Sequence, residues 1–391
     1  MKLNINKIKT TPKGMPFGFC QYGKPTDEVK EWAAYWCITE QKSGPYTNFI
    51  LPVGLDIDEI FEEAKVYEWV DGFSPNLNKH LHLGHLSNLI IAKAMQSMGV
   101  GKNFIAILGD TLSGQVDKQD ALAKYSQYCN DFGYKVDQLI FASEQKLLND
   151  ILIDGSGEYE GTKVFDINGE KVVGIKSDGS TSYFYQDVSL AQKLNASTLY
   201  LTGFEQAGHF SLLKGLFPDI EHVGLGLVTV DGKKMSSSEG NVIYAEDIFN
   251  QLMLKFDNDK KVVWNVLVGQ ILKSVPNSIK NIDMKQIENV KQSAGLYVSY
   301  TMARMWSAGI EYVEMDSFED ISLHFKSMKA KCNLQPNILF EELVEHCKKI
   351  NNLYITHKIK DNEDNKKMFQ LLTNDLTLAA KKLGMYKIDK I

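Results

Sequence analysis

The chain has 391 residues and a mass of 44.1 kDa, enough for about two to three domains, and its 44% hydrophobic and 24% charged content excludes disordered, collagen-like and disulfide-scaffold classes. A net charge of −6 and a pI near 5.8 leave no global basic field for nucleic acid or an anionic membrane, so any RNA contact must be local. Cys20, Cys37, Cys129, Cys332 and Cys347 are odd in number, scattered and never spaced C-x-x-C, which argues against a zinc knuckle or disulfide framework and fits a reducing cytoplasm. The start MKLNINKIKTTPKG lacks the apolar core of a signal peptide, and no run approaches the roughly 18 apolar residues that span a bilayer, so secretion and membrane insertion are disfavoured.

Residues 1–65 hold a polar lead-in, the aromatic stretch EWAAYWCITE and an acidic, helix-like DIDEIFEEAK, with no readable function. KVYEWVDGF then reads as a strand, SPNLNKHLHLGHLSN as a loop, and LSNLIIAKAMQSMG as a helix with Leu86, Leu89, Ile90, Ala94 and Met98 on one face. KNFIAILGD predicts a second buried strand, ALAKYSQYCNDFG a helix and DQLIFAS another strand. This alternation predicts an α/β fold built on a parallel sheet. Residues 151–182 are rich in Gly, Asp and short β-like runs, which predicts an antiparallel insertion. The α/β pattern resumes with VSLAQKLN, STLYLTG, HFSLLKGL and HVGLGLVTV. Beyond Pro276 the strands are expected to stop, and three stretches with helical spacing predict a helical domain over residues 276–391, where 17 basic residues face 15 acidic ones.

His82, Leu83, Gly84 and His85 fall between a buried strand and a helix start, at the carboxyl edge of a parallel sheet where ligands bind. A helix N-terminus offers unpaired N–H groups and positive dipole to an anion, and a glycine lets a nucleotide approach the backbone. Two imidazoles there suit stabilisation of a phosphate whose charge grows in a transition state. The plainer alternative is that both histidines cap and pack the helix start. A metal site is disfavoured, because metalloprotease spacing and an interleaved carboxylate are both absent.

After the apolar GLGLVTV stands DGKKMSSSEGN, residues 231–241, with two lysines and three hydroxyls in a glycine-bounded loop. Lysine is a compact charge able to follow a leaving pyrophosphate, and a mobile loop brings it in when substrates are bound. Taken alone such a loop is more often a solvated turn.

Together the two elements resemble the H-I-G-H and K-M-S-K-S signatures of class I aminoacyl-tRNA synthetases. The surrounding residues are similar to the arginyl-tRNA synthetase family: SPNLNKHLHLGHLSN to its S-P-N-x-x-K-P-x-H-x-G-H-L-R-N, GFEQAGHFSLLKGL to its G-A-D-Q-A-G-H-F stretch, and HVGLGLVTVDGKKMSSSEGN to its H-V-G-F-G-L-V segment with D-G-K-K-M-S. The resemblance runs from about residue 66 to 310 and returns faintly near 340–385. It implies a class I Rossmann-like nucleotide-binding domain over 66–275 carrying the insertion, followed by a reduced anticodon-binding-like helical bundle over 276–391. It also implies that the family's N-terminal tRNA-elbow domain is missing, with residues 1–65 an extension of unclear role.

For chemistry, the resemblance implies activation of L-arginine by Mg2+-bound ATP to arginyl-adenylate and transfer to the 3′ end of tRNA, in the cytoplasm. His82, His85 and Lys234 take the catalytic positions, and Gly84, His222, Gly224, Lys233, Met235 and Ser236 the ATP-binding ones, with no protein-held metal. Arginine selection requires carboxylates in bidentate geometry with hydrogen-bond acceptors and an aromatic wall. YFYQD resembles the family's Y-L-T-R-D, which makes Asp187 the guanidinium partner and Tyr183 the adjacent ring. IFASEQ is similar to W-F-S-E-S, which makes Glu144 a second carboxylate, while Asn76 and Gln206 match the positions holding the α-amino and carboxylate ends.

Several residues depart from the family pattern: His80 replaces a proline, Ser87 an arginine, LGDTLSGQ stands for V-G-D-W-G-T-Q with Asp110 kept, and Ser238 and Glu239 replace a basic pair, removing positive charge next to the phosphates. YVSYTMAR resembles the helix that opens the family's anticodon-binding bundle. Three other roles remain open on the residues alone: a paralogue that passes activated arginine to a non-tRNA acceptor or serves a special role, a non-catalytic arginine or tRNA sensor, and a small-molecule nucleotidyltransferase, against which the YVSYTMAR helix argues.

Overall fold

Residues 1–8, 18–75, 81–109, 118–234, 244–287, 289–360 and 362–391 are described in the computed structural model. The N-terminal unit comprises β1 (Gly18–Tyr22), α1 (Asp27–Tyr35), β2 (Thr39–Ser43), β3 (Tyr46–Ile50) and the single-turn α2 (Ile57–Ile60), with β3 central in an antiparallel sheet. Thr26 starts α1 by accepting the Val29 N–H on its hydroxyl, and Asp27 and Glu28 complement the helix dipole. The helix buries Trp32 between Phe49 and Phe61, with its indole N–H donated to the Ile60 carbonyl at 2.9 Å. The helix expected over DIDEIFEEAK stops at Ile60. Phe61 is drawn wholly into this core, and Leu3 takes the backbone on both sides of it, donating to Ile60 and accepting from Glu62 at 3.0 Å each.

The α/β region follows as β4 (Tyr67–Asp71), α3 (Leu83–Ser97), β5 (Gly101–Leu108), α4 (Lys118–Asp131) and β6 (Gln138–Phe141). An antiparallel sheet of β7 (Ile153–Asp154), β8 (Lys163–Ile167) and β9 (Glu170–Ile175) interrupts it, before α5 (Tyr183–Leu194), β10 (Thr198–Gly203), α6 (Ala207–Leu216) and β11 (Ile220–Leu225). The five main strands pair parallel in the order β11-β10-β4-β5-β6.

Side chains alternate across these strands. Val70, Phe104, Ala106, Leu199 and Leu201 face one core together with α3. Tyr200 and Ile107 face the other, under Phe184 and Val188 of α5 and Phe210 and Leu213 of α6.

Chain continues through β12 (Val228–Val230), β13 (Lys233–Lys234), α7 (Ala245–Lys255), α8 (Lys260–Leu272) and β14 (Lys280–Ile282), with sheet order β13-β12-β14. HVGLGLVTV, read as one strand, is two: the Gly226 N–H leaves the sheet for the Pro276 carbonyl at 2.9 Å. Nor do strands stop at Pro276, because β14 pairs with β12. Lys280 makes this possible by burying its ammonium against the Pro276 and Ser278 carbonyls at 2.6 and 3.0 Å while Ile282 fills the core.

Helices α9 (Ala294–Ser307), α10 (Ile321–Asn333), α11 (Asn337–Thr356) and α12 (Glu363–Lys382) complete the chain. They share one apolar core with α3, α8 and the parallel sheet, whereas α10 also receives the N-terminal unit through Phe325 against Phe61. Helices α8 and α9 touch backbone to backbone: a Cβ on Gly269 would stand 2.3 Å from the Gly295 nitrogen, and one on Gly295 2.1 Å from the Asn265 carbonyl oxygen. Among the described residues no helix is long and apolar enough to cross a membrane.

Candidate active site

The carboxyl edge of the parallel sheet gathers the polar residues. His82 is the N-cap of α3; its Nδ1 accepts the Gly84 N–H at 3.1 Å, and Nδ1 of His85 accepts the His82 N–H at 3.2 Å. With both Nδ1 atoms used as acceptors, each neutral ring carries its proton on Nε2. The rings stack at 3.9 Å, so two donors lie side by side at the positive end of a 15-residue helix. Gly84 is fitted to this cap, since a Cβ there would come within 2.8 Å of the His82 ring.

The lysine loop is tied to the same place by its ends. It departs from β13, where Lys234 pairs with Thr229 and Lys233 with Val230. It returns at Tyr244, which bridges His82, while the Ala245 N–H reaches the Leu81 carbonyl at 2.9 Å. Met235, Ser236, Ser238 and Glu239 lie outside the described residues, as do Asn76, His80 and Asp110.

A second cluster occupies the α5/α6 face of the sheet. Strand register places Asp71 beside Tyr200 and Tyr200 beside His222, one row across β4, β10 and β11. Asp71 was not among the residues picked from the sequence, although its signal was present: an acid ending an apolar strand, immediately before the loop. It is 4% exposed and accepts the Ser74 hydroxyl, whose oxygen in turn accepts the Ile107 N–H at 2.8 Å. Burial, opposed by the Ser74 bond and reinforced by the charge of Asp187, raises its pKa to about 7. Tyr200 is fully buried, and its hydroxyl has no hydrogen-bond partner among the described residues.

Asp187 lies one turn into α5, four residues after Tyr183 and therefore on the same face. Its Oδ2 is 2.6 Å from Nε2 of His209, whose ring meets Phe184 and Phe210 edge-on at 5.1 and 5.2 Å. Phe210 stacks on His222 at 4.5 Å, and His222 Nε2 is 2.9 Å from the Thr202 hydroxyl; burial lowers the pKa of His222. Gly224 permits close passage of the turn that follows β10, because a Cβ would stand 2.9 Å from Phe204 Cα. Tyr183 is exposed at the first position of α5, and Gln206 is exposed at the end of the turn Phe204–Gln206 that leads into α6. Glu144 ends the turn Ala142–Glu144 after β6 and borders a cavity of about 390 Å³ with Trp69, Ile140, Leu190 and Lys193.

No protein-family model matches the chain. Among curated proteins it is 28% identical over 236 residues to an arginine-tRNA ligase of Limosilactobacillus reuteri, a match covering 49% of this chain and 42% of that one. Thus the matched part spans less than half of that relative's length. An arginine-tRNA ligase of Clostridium botulinum is 26% identical over 475 aligned positions, covering 87% of this chain and 83% of the relative. In fold, the chain is similar to the arginyl-tRNA synthetase of Thermus thermophilus, with a TM-score of 0.67 at 14% identity over 98% of this chain and 96% of that one. The Plasmodium falciparum enzyme gives a TM-score of 0.62 at 18% identity, covering 90% and 86%. Sequence similarity to arginyl-tRNA synthetases along most of its length goes with their Rossmann-like class I fold.

Proposed function

We propose that the protein activates L-arginine with ATP and transfers it to the 3′ end of tRNA. An arginine carboxylate oxygen attacks the α-phosphorus of ATP, the bond to the bridging oxygen breaks, and pyrophosphate leaves, forming arginyl-adenylate. A ribose hydroxyl at the 3′ end of tRNA then attacks the activated carbonyl and AMP departs. Magnesium enters with the ATP phosphates as part of the substrate.

One observation carries this reading: a buried carboxylate, Asp71, in the sheet row that runs through Tyr200 to His222, with the charge of Asp187 on α5 acting on it. Burial raises the pKa of such an acid, and a planar guanidinium would supply charge and several N–H donors at once. Tyr183 at the rim walls this subsite; Asn76 and Gln206 hold the α-amino and carboxylate ends, and Glu144 adds a further acceptor. His82 and His85 direct their Nε2–H donors to the α-phosphate, whose charge grows in the transition state, while Gly84, His222 and Gly224 frame the nucleotide. Lys233, Met235 and Ser236 bind ATP, and Lys234 is the principal cation for the pyrophosphate. Residues 276–391 receive the tRNA, and the reaction belongs to the cytoplasm.

Arginine-dependent exchange of pyrophosphate into ATP, with and without tRNA, tests the first step, and labelled arginine in acid-precipitable tRNA tests the second. Exchange and charging are expected to depend on both arginine and ATP. Arginine binding without exchange under either condition would instead identify a sensor, and exchange without charging a different acceptor.

A further inference from the structure

The arginine subsite needs more than two acids, because Asp187 sits on a helix where its carboxylate is free to turn about the side-chain torsions. A bidentate guanidinium contact requires the carboxylate plane to be set in advance. His209 is placed to set it. Its Nε2 lies 2.6 Å from Oδ2 of Asp187, and a carboxylate accepts there, so the imidazole donates. The ring itself is held between Phe184 and Phe210, with 27% of the side chain left exposed. One carboxylate oxygen is thereby engaged and the other left to face the ligand.

We propose that His209 is a positioning residue for arginine selection: it orients Asp187 through Nε2–H and acts on the substrate only through that carboxylate. This rests on the arginine-activating reading above and extends it. His209 is the third residue of α6, and the next residue, Phe210, stacks on His222. Removing the His209 donor therefore affects arginine first, whereas disturbing the whole turn affects ATP as well.

The test uses the full-length protein with wild type, His209→Ala and His209→Gln, because the glutamine amide keeps an N–H donor near the position of Nε2. In the exchange assay, His209→Ala is expected to raise the KM for arginine about tenfold to a hundredfold, the range for losing a hydrogen bond to a charged group, with the KM for ATP within about twofold. His209→Gln should return the arginine KM to within about threefold of wild type. An unchanged arginine KM in His209→Ala, equal losses in both variants, or parallel rises for arginine and ATP would overturn the proposal. Should the alanine variant fail to fold, His209→Asn replaces it: its amide is one methylene shorter, and parity with His209→Gln overturns the proposal equally. Calorimetric arginine binding by the wild type separates the two levels. No binding sinks the arginine reading and this inference together; binding with indifferent His209 variants sinks this inference alone.

Discussion

Two buried polar clusters in this molecule are built to opposite rules. Between α9 and α11, Asn351 shares its two amide protons among Thr301 Oγ1, the Cys347 carbonyl and Tyr297 Oη at 2.8, 2.9 and 3.2 Å, and accepts from Arg304 Nη1 at 2.6 Å. The guanidinium of Arg304 also lies over Tyr300 and Tyr354, 5.3 and 4.8 Å from the ring centres. At the sheet edge, by contrast, Asp71 is an acid without a cation, and Tyr200 a hydroxyl without a partner among the described residues. A satisfied network fixes one packing, while an unsatisfied one raises the free energy of the empty protein until something completes it. The difference separates a cluster that holds α9 to α11 from the one proposed to receive arginine.

Removing the ligand-facing acid should have the largest effect. Asp187→Ala is expected to weaken arginine binding by about 3 kcal/mol or more, over a hundredfold, with folding little changed, because Asp71 is then left to meet the cation alone. Titration calorimetry reads the affinity and urea melting the stability; unaltered arginine affinity would remove Asp187 from the subsite. The mirror experiment is Asn351→Ala, which should cost about 2 kcal/mol or more in stability by stranding Arg304 and Thr301. Arg304→Lys should cost less, about 1 to 2 kcal/mol, through the lost planar stacking. Arg304 is the only arginine among the 43 Lys and Arg residues, so a lysine tolerated there without loss would show that composition alone, not this packing, retained it.

How far the sequence was legible follows from the range of each signal. The alternation of apolar strands with amphipathic helices is local: β4 and β6 lie within the stretches that carry it, and α3, β5 and α4 overlap theirs but begin one to three residues earlier. Likewise local are the histidine loop at the start of α3 and the lysine loop after β12. What eluded a linear reading depends on distant partners. DIDEIFEEAK has helical composition, but Leu3 captures the backbone around Phe61. KNI after Pro276 is too short to announce a strand and becomes one only beside β12. Asp71 shows the same limit in the site: one acid ending an apolar run reads as an edge residue until register sets it beside Tyr200 and the fold brings it into the field of Asp187. The pairing of His209 with Asp187 joins positions 22 apart on two helices and leaves no local trace.

The clusters should also part company under titration. Asp71 has its pKa raised to about 7 in the folded protein, so its favourable contribution is present below the unfolded value near 3.8 and is lost as pH rises through 7. Lys93, Lys280 and Lys329 are depressed by burial to about 8 from 10.5, so their contribution is present above 10.5 and is lost as pH falls through 8. From these four groups the ligand-free protein is least stable between about pH 7 and 8. Arginine removes the Asp71 part, since the guanidinium favours the carboxylate. Binding should therefore strengthen up to tenfold per unit as pH rises toward 7, release about one proton near pH 6, and level off above 8. Calorimetry in buffers of different ionisation enthalpy counts that proton; zero release at pH 6 would show that Asp71 does not meet the cation.

The smallest expected effect is the most discriminating. Tyr200→Phe deletes a buried hydroxyl that has no partner among the described residues and keeps the ring packed on Phe210 at 4.8 Å. It should leave the empty protein as stable as before or up to about 1 kcal/mol more stable. Thr301→Val deletes a hydroxyl of similar burial that bridges the Tyr297 carbonyl and the Asn351 amide, and should cost about 1 kcal/mol, because Asn351 loses its shortest acceptor and the Tyr297 carbonyl a donor. The two variants remove the same chemical group from equally buried sites, so their difference isolates satisfaction from burial. If both destabilise alike in urea melts, the sheet-edge cluster is already complete without ligand, and the raised energy assigned to it has another origin. If they diverge as expected, adding arginine should narrow the gap, since a Tyr200 hydroxyl that finds its partner only with ligand bound makes the wild type, and not the phenylalanine variant, gain from the addition.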